Sequence, residues 1–135
     1  MENTLDFGVV GLGVMGRSLA LNMIDHGISV GGADLSPELI DLFTTQGGSS
    51  ARGFASAHDM VASLQRPRKL LIMVPAGPAV DSVLSDLYKV LEPGDVVIDG
   101  GNSKYQETQH RIETAHQHGV LYVGAGVSGG EEGAR

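Results

Sequence analysis

The chain has 135 residues, 41% of them hydrophobic and 19% charged, with a formal net charge of −7. That length suits one domain with a real core, and the acidic balance lacks the basic stripe that neutralises nucleic-acid phosphates. No apolar run approaches the roughly 20 residues that cross a bilayer, Met1-Glu2-Asn3-Thr4 is too polar to open a secretory signal, and the absence of cysteine excludes disulfides and thiolate chemistry.

Together these features fit a cytoplasmic protein without a nucleic-acid or membrane partner. Leu5-Asp6-Phe7-Gly8-Val9-Val10 reads as a buried first strand. A helix follows from about Val14 to His26, with Leu19 and Met23 on one face and Gly27 as its stop. Ile28 to Ala33 gives a second strand. Ser36-Pro37-Glu38 then starts a helix, with Ser36 as N-cap and Pro37 at the first helical position. Gln46 to Ser50 is rich in glycine and serine and reads as a loop. A weak third strand around Arg52–Phe54 precedes a helix from about Ser56 to Gln65. Arg66, Arg68 and Lys69 are expected to solvate the turn that follows. Lys69 to Val74 is the most strand-like run, and Pro78 opens a helix to about Leu91 that Pro93-Gly94 ends. Asp95–Asp99 is a fifth strand, Ser103–His118 a helix, and Val120–Val123 a sixth strand.

Strands alternating with helices imply parallel βαβ units with right-handed crossovers. The two halves, Leu5–Phe54 and Lys69–Val123, repeat one βαβαβ layout. The expected fold is a single α/β domain over residues 1–135, a Rossmann-type doubly wound parallel sheet in strand order 3-2-1-4-5-6.

Gly11-Leu12-Gly13-Val14-Met15-Gly16 fits G-x-G-x-x-G between a strand and a helix, the context that gives this short pattern its meaning. The first glycine allows the tight turn, the second lets the backbone approach a pyrophosphate, and the third lets helix and strand pack closely. The helix-start N–H groups and the helix dipole then favour the phosphates. Asp34 ends the second strand 18 residues beyond Gly16. A carboxylate there can accept from both hydroxyls of an adenine ribose and repels a 2′-phosphate, which favours NAD over NADP. A role in capping the helix after Ser36 is compatible with this. Asp99-Gly100-Gly101-Asn102-Ser103 and the turn from Gly124 onward both leave the carboxyl edge of the sheet, where open α/β folds bind ligands. Asn102 offers an amide that donates and accepts. Ser128, Gly129 and Gly130 offer a hydroxyl and unhindered N–H groups suited to a carboxylate or an oxyanion.

With these segments in view the chain resembles the 6-phosphogluconate dehydrogenases. The matching residues are Gly11–Gly16 with Leu19-Ala20-Leu21-Asn22, then Gly94–Ser103, and finally Gly126-Val127-Ser128-Gly129-Gly130-Glu131-Glu132-Gly133-Ala134-Arg135. Other β-hydroxyacid dehydrogenases usually lack the Glu-Glu-Gly-Ala continuation. The resemblance implies oxidative decarboxylation of 6-phospho-D-gluconate to ribulose 5-phosphate in the pentose phosphate pathway, with hydride passed to a nicotinamide. It places Asn102, Ser128, Gly129 and Gly130 on the sugar acid, with Asn102 also beside the nicotinamide. It places Val74, Pro75, Ala76 and Gly77 along the cofactor cleft.

Two departures bear on the cofactor. The family commonly has Asn-Arg-Thr after the second strand, its arginine clasping the 2′-phosphate of NADP; here Asp34-Leu35-Ser36 stands instead. Pro75 replaces the usual lysine of the loop after the fourth strand. Lost cations and a gained carboxylate agree in direction, so NAD is the expected cofactor, with NADP the alternative. The third departure is length. The family's helical domain, which carries its catalytic lysine and glutamate and its homodimer contacts, lies beyond Arg135. No catalytic residue is therefore expected within these residues, Lys104 being the only surrogate and better explained as a solvated side chain. The chain alone is expected to bind cofactor without turnover, in an oligomeric state the residues do not specify. His110, His116 and His118 share one helix without forming a metal site, and His118 is expected at its end. The other readings are the coenzyme domain of a different β-hydroxyacid dehydrogenase, or a stand-alone nucleotide-binding module.

Overall fold

In the computed structural model the chain runs from β1 (Phe7–Val10) through α1 (Val14–Asp25) to β2 (Val30–Ala33), α2 (Pro37–Gly47) and β3 (Ala51–Phe54). It continues through α3 (Ala57–Ala62), β4 (Lys69–Ile72), α4 (Pro78–Leu87), β5 (Val96–Asp99), α5 (Tyr105–Gln117) and β6 (Leu121–Gly124). The structure describes residues 4–74, 77–100 and 105–124. The strands form one sheet in the order β3-β2-β1-β4-β5-β6, every neighbouring pair parallel. This is the doubly wound α/β arrangement expected, with the order reversing between β1 and β4.

Two apolar layers hold the sheet. On one side Ala20 and Leu21 of α1 and Phe43 of α2 pack with Val9, Val30 and Leu71. Leu19 and Met23 lie at the margin of this layer. On the other side Met60 and Val61 of α3, Val80, Leu84 and Leu87 of α4, and Ala115 of α5 pack on Val10, Leu70, Ile72, Val97 and Tyr122. Phe43 is fully buried and lies so close to Gly32 that a Cβ there would sit 2.7 Å from its ring. Emptying such an aromatic site typically costs about 3–5 kcal/mol.

Local signals act as read at the helix starts. The Ser36 and Ser56 hydroxyls accept from the N–H groups three residues on, at Leu39 and Asp59, and Pro37 and Pro78 occupy first-turn positions. Two expectations are corrected. The Gln46–Ser50 stretch is not a loop: α2 runs to Gly47 and a 3₁₀ turn covers Gly48–Ser50. Gly47 is needed there because a Cβ would meet Ala51 Cβ at 2.5 Å and Ile24 Cδ1 at 2.9 Å. Arg68 does not solvate a turn. It is 7% exposed, donates to the Val90 carbonyl at 2.8 Å, and pairs with buried Asp95 at 3.6 Å. Asp95 also accepts from the Arg68 and Glu92 amides, both at 2.7 Å. Arg66 pairs with Glu92 at 2.8 Å. This cluster sits at the amino edge of β4 and β5, the edge opposite the ligand crevice.

Candidate functional site: the glycine turn at the switch point

Gly11 leaves β1 between the ends of β2 and β4. Its N–H donates to the Ala33 carbonyl at 2.8 Å, its φ is +99°, and a Cβ would lie 2.5 Å from the Met73 carbonyl oxygen. Only glycine suits that left-handed, crowded position. Gly16, buried in α1, faces the turn itself: a Cβ would lie 1.9 Å from the Gly11 carbonyl oxygen. Gly13 differs from both. It is exposed, extended at φ −64° and ψ −174°, and a Cβ on it would meet nothing within 4 Å. Gly13 is the N-cap of α1 without any side-chain cap, and the first turn carries no acidic residue. The positive end of α1, at Gly13, Val14 and Met15, thus opens onto space that accepts an anion. Leu12 is fully buried and holds the turn onto the core.

Asp34 sits beside this turn. Its Oδ2 accepts from the Leu12 N–H at 2.7 Å and its Oδ1 from the Ser36 N–H at 2.9 Å. The carboxylate therefore braces the glycine turn against the start of α2, while Ser36, not Asp34, caps that helix. Each carboxylate oxygen keeps further lone pairs, so bracing leaves capacity for ligand hydroxyls. Leu35 is 93% exposed and Ser36 is half-buried. Arg17, which the sequence reading passed over, donates from Nη1 to the Leu12 carbonyl at 3.1 Å. Its only sequence signal is its place one turn into α1.

On the other half of the crevice, Val74 is half-buried after β4. Pro75, Ala76, Asn102, Ser128, Gly129 and Gly130 lie outside the described residues, as does Lys104. Where β5 ends, Asp99 is 1% exposed and accepts from the Tyr122 hydroxyl at 2.5 Å. Arg111 of α5, 3% exposed, donates to Asp81 at 2.8 Å and to the Gly77 carbonyl at 3.2 Å. It lies 3.9 Å from Asp99 and 3.7 Å from Glu107. The Arg111 hydrogen bond holds the Asp81 carboxyl below its ordinary value. Burial, then the Asp99 bond, pushes the Tyr122 phenol upward, so it stays a donor. Sequence reading missed this cluster because its hydrogen bonds join residues far apart in the chain, 23 apart for Tyr122 and Asp99, 30 for Arg111 and Asp81, and 34 for Arg111 and Gly77.

A groove of about 530 Å³ between α4 and α5 is lined by Leu84, Tyr88, His110 and His118 among others. It is bounded by helix flanks, and no residue of the Gly11–Gly16 turn lines it. His118 lies just beyond α5 and stacks on Tyr88, ring centroids 4.2 Å apart. Among the described residues no group of three or more His, Asp or Glu could hold a metal. None of the described helices is long and apolar enough to cross a membrane.

A parallel sheet in this order, with a glycine turn opening α1 at the switch point and an acid closing β2, defines a Rossmann-type dinucleotide-binding domain. A family profile described as the NAD binding domain of 6-phosphogluconate dehydrogenase matches residues 6–135, and the chain belongs to that family. It is 49% identical over 132 residues to a decarboxylating 6-phosphogluconate dehydrogenase of Chlamydia muridarum, covering 96% of this chain and 28% of that protein. Among solved structures, Plasmodium falciparum 6-phosphogluconate dehydrogenase superposes with a TM-score of 0.89 at 36% identity, over 96% of this chain and 28% of that one. That enzyme was studied in its apo form, with NADP+ and with 6-phosphogluconate. Mycobacterium tuberculosis 3-hydroxyisobutyrate dehydrogenase gives a TM-score of 0.85 at 26% identity, over 96% and 43% of the respective chains. The chain thus spans little more than a quarter of the length of the curated relatives it matches.

Proposed function

We propose that the chain holds a nicotinamide dinucleotide along the carboxyl edge of its sheet and prefers NAD to NADP. The pyrophosphate lies on Leu12, Gly13, Val14 and Met15, with Gly11 and Gly16 shaping the turn. The adenine ribose lies at Asp34, flanked by Leu35 and Ser36. The nicotinamide half lies over the exits of β4 and β5, at Val74, Pro75, Ala76 and Asn102. The observation that carries this reading is Gly13: an exposed, uncapped helix start with open space where a side chain would stand. When bound, the dinucleotide would supply its nicotinamide as a hydride acceptor. The chain's own residues bind and orient it, and exclude an anionic 2′-substituent.

For the NAD preference the support is electrostatic. A 2′-phosphate next to Asp34 would meet a carboxylate already fixed by two backbone amides, and Leu35 supplies no charge-assisted partner. Titrating NAD and NADP against the chain tests it; tighter NADP binding sinks the preference.

In the whole protein this domain serves oxidative decarboxylation of 6-phospho-D-gluconate to ribulose 5-phosphate, within a cytoplasmic homodimer. Asn102, Ser128, Gly129 and Gly130 contact the sugar acid, and the acid–base groups come from outside these residues. Family membership and 49% identity to a relative of that name support this. The test is reduced-cofactor absorbance with 6-phosphogluconate: turnover by a protein carrying the whole sequence, and almost none by this chain alone. A 3-hydroxyisobutyrate-type substrate is the second reading, supported by the mycobacterial neighbour and by Asp34, and a substrate panel separates the two.

A further inference from the structure

Two buried arginine clusters brace this sheet at opposite edges. Arg68 and Asp95 tie β4 to β5 at the amino edge, far along the strands from any ligand crevice. Arg111 does the corresponding work at the carboxyl edge, but its partners differ in kind. It reaches the Gly77 carbonyl at the N-cap of α4, Asp81 in the first turn of α4, and Asp99 at the last position of β5. Gly77 closes the chain exit that follows β4, and Asp99 opens the exit that follows β5. Tyr122 of β6 holds the same Asp99 from the other side.

We propose that Arg111 is a positioning residue: it locks the start of α4, at Gly77 and Asp81, to the end of β5, at Asp99, and so preorganises the nicotinamide half of the crevice. This rests on the cofactor reading above. The physical reason is that a buried ion cluster is a poor way to gain stability. Desolvating a guanidinium and a carboxylate costs as much as their attraction returns, and an apolar replacement often serves better. What a satisfied polar network does supply is fixed geometry among the elements it joins. Here it joins three elements, two of them at the points where the chain leaves the sheet toward the ligand. In a doubly wound fold the dinucleotide straddles the switch point, one half over each βαβαβ unit. The adenine half is braced by Asp34 between the glycine turn and α2. Arg111 is the counterpart for the other half: backbone pairing joins β4 and β5 as far as Ile72, Asp99 and Gly100, and Arg111 adds the tie from there to the start of α4.

The test compares NAD+ with ADP-ribose, which lacks the nicotinamide, on the full 135-residue chain by calorimetric titration. Arg111→Met is expected to weaken NAD+ by about tenfold, the value of one charge-assisted hydrogen bond, while ADP-ribose changes less than about twofold. Arg111→Lys should recover part of the loss. Asp81→Asn, whose carboxylate is largely exposed, should fold readily and give a smaller loss of the same selectivity. Arg68→Met is the structural control, expected to lower the melting temperature while leaving the ratio of the two affinities unchanged. Equal losses for both ligands in Arg111→Met and Asp81→Asn, or no loss for either, would overturn the proposal. Should the unmodified chain bind NAD+ no tighter than ADP-ribose, the positioning role fails and the cofactor reading stands. Should it bind neither, the cofactor reading itself fails.

Discussion

The three glycines of the turn should respond differently to a single methyl group, and the contrast separates folding from binding. At Gly16 a Cβ would stand 1.9 Å from the Gly11 carbonyl oxygen and 3.3 Å from Met73 Cβ. Ordinary contact needs about 3.5 Å between such atoms, so α1 must back away from β1 by about 1.5 Å. Overpacking of this kind costs about 1–3 kcal/mol. Unfolding entropy of about 2.1 cal/mol/K per residue makes each kcal/mol worth about 3.5 °C in a chain of this length. Gly16→Ala should therefore lower the melting temperature by about 3–10 °C, and weaken cofactor because the helix start moves with the turn. At Gly13 the methyl meets no protein atom, and the extended backbone there suits any residue. Gly13→Ala should leave the melting point within about 2 °C of the original. It should still weaken NAD by about tenfold or more, because the methyl occupies the approach path of the pyrophosphate. Calorimetric melting and isothermal titration read both quantities. A Gly13→Ala chain that binds NAD as tightly as the unmodified chain would refute the placement of the pyrophosphate. A Gly16→Ala chain with an unchanged melting point would refute the close approach.

Leu35→Arg combined with Asp34→Asn should move preference toward NADP, read as the ratio of the two dissociation constants. The asparagine keeps one acceptor but faces a second backbone N–H with a donor, so a stability loss of about 1–2 kcal/mol accompanies the switch. An unmoved ratio would remove Asp34 and Leu35 from cofactor choice. Tyr122→Phe leaves the buried Asp99 carboxylate without its short hydrogen bond and should cost about 1.5–3 kcal/mol in denaturant unfolding; a loss below about 0.5 kcal/mol would mean the bond contributes nothing net. Asp81 has a folded-state pKa held below its ordinary value of 3.8, first by the Arg111 hydrogen bond. Its stabilising share is therefore full above that value and fades as pH falls through the lowered one. The stability gap between the unmodified chain and Asp81→Asn should hold from pH 7 to about 5 and close at lower pH. A gap that widens on acidification would contradict the assignment.

Features set by neighbouring residues were legible in the sequence, and features set by distant ones were not. The Ser36 cap, Pro37 and the glycine spacing act within one turn of chain, so their roles follow from position alone. Strand order followed because alternating apolar runs leave few right-handed solutions. Gln46–Ser50 misled because its composition is that of a loop, while the close contact of Gly47 with Ala51 and Ile24 makes glycine a packing requirement there. Arg68 misled for the opposite reason: a cation before a strand looks solvated until Asp95, 27 residues on, is seen folding against it. Within the Arg111 cluster only the Glu107–Arg111 pair, four residues apart on α5, follows a local pattern; the ties to Asp81, Asp99 and Tyr122 follow none. Asp34 was read as a ribose acceptor or a helix cap, and its bond to the Leu12 N–H is a third role that only the pairing of β1 with β2 creates.

The placement of a dinucleotide on the glycine turn is tested most directly by following backbone amide resonances while NAD is titrated into the isotopically labelled chain. The largest shifts should fall on Leu12, Gly13, Val14 and Met15, with a second group at Asp34, Leu35 and Ser36. Shifts confined to the α4–α5 groove around Tyr88, His110 and His118, with the Gly11–Gly16 amides unmoved, would contradict it.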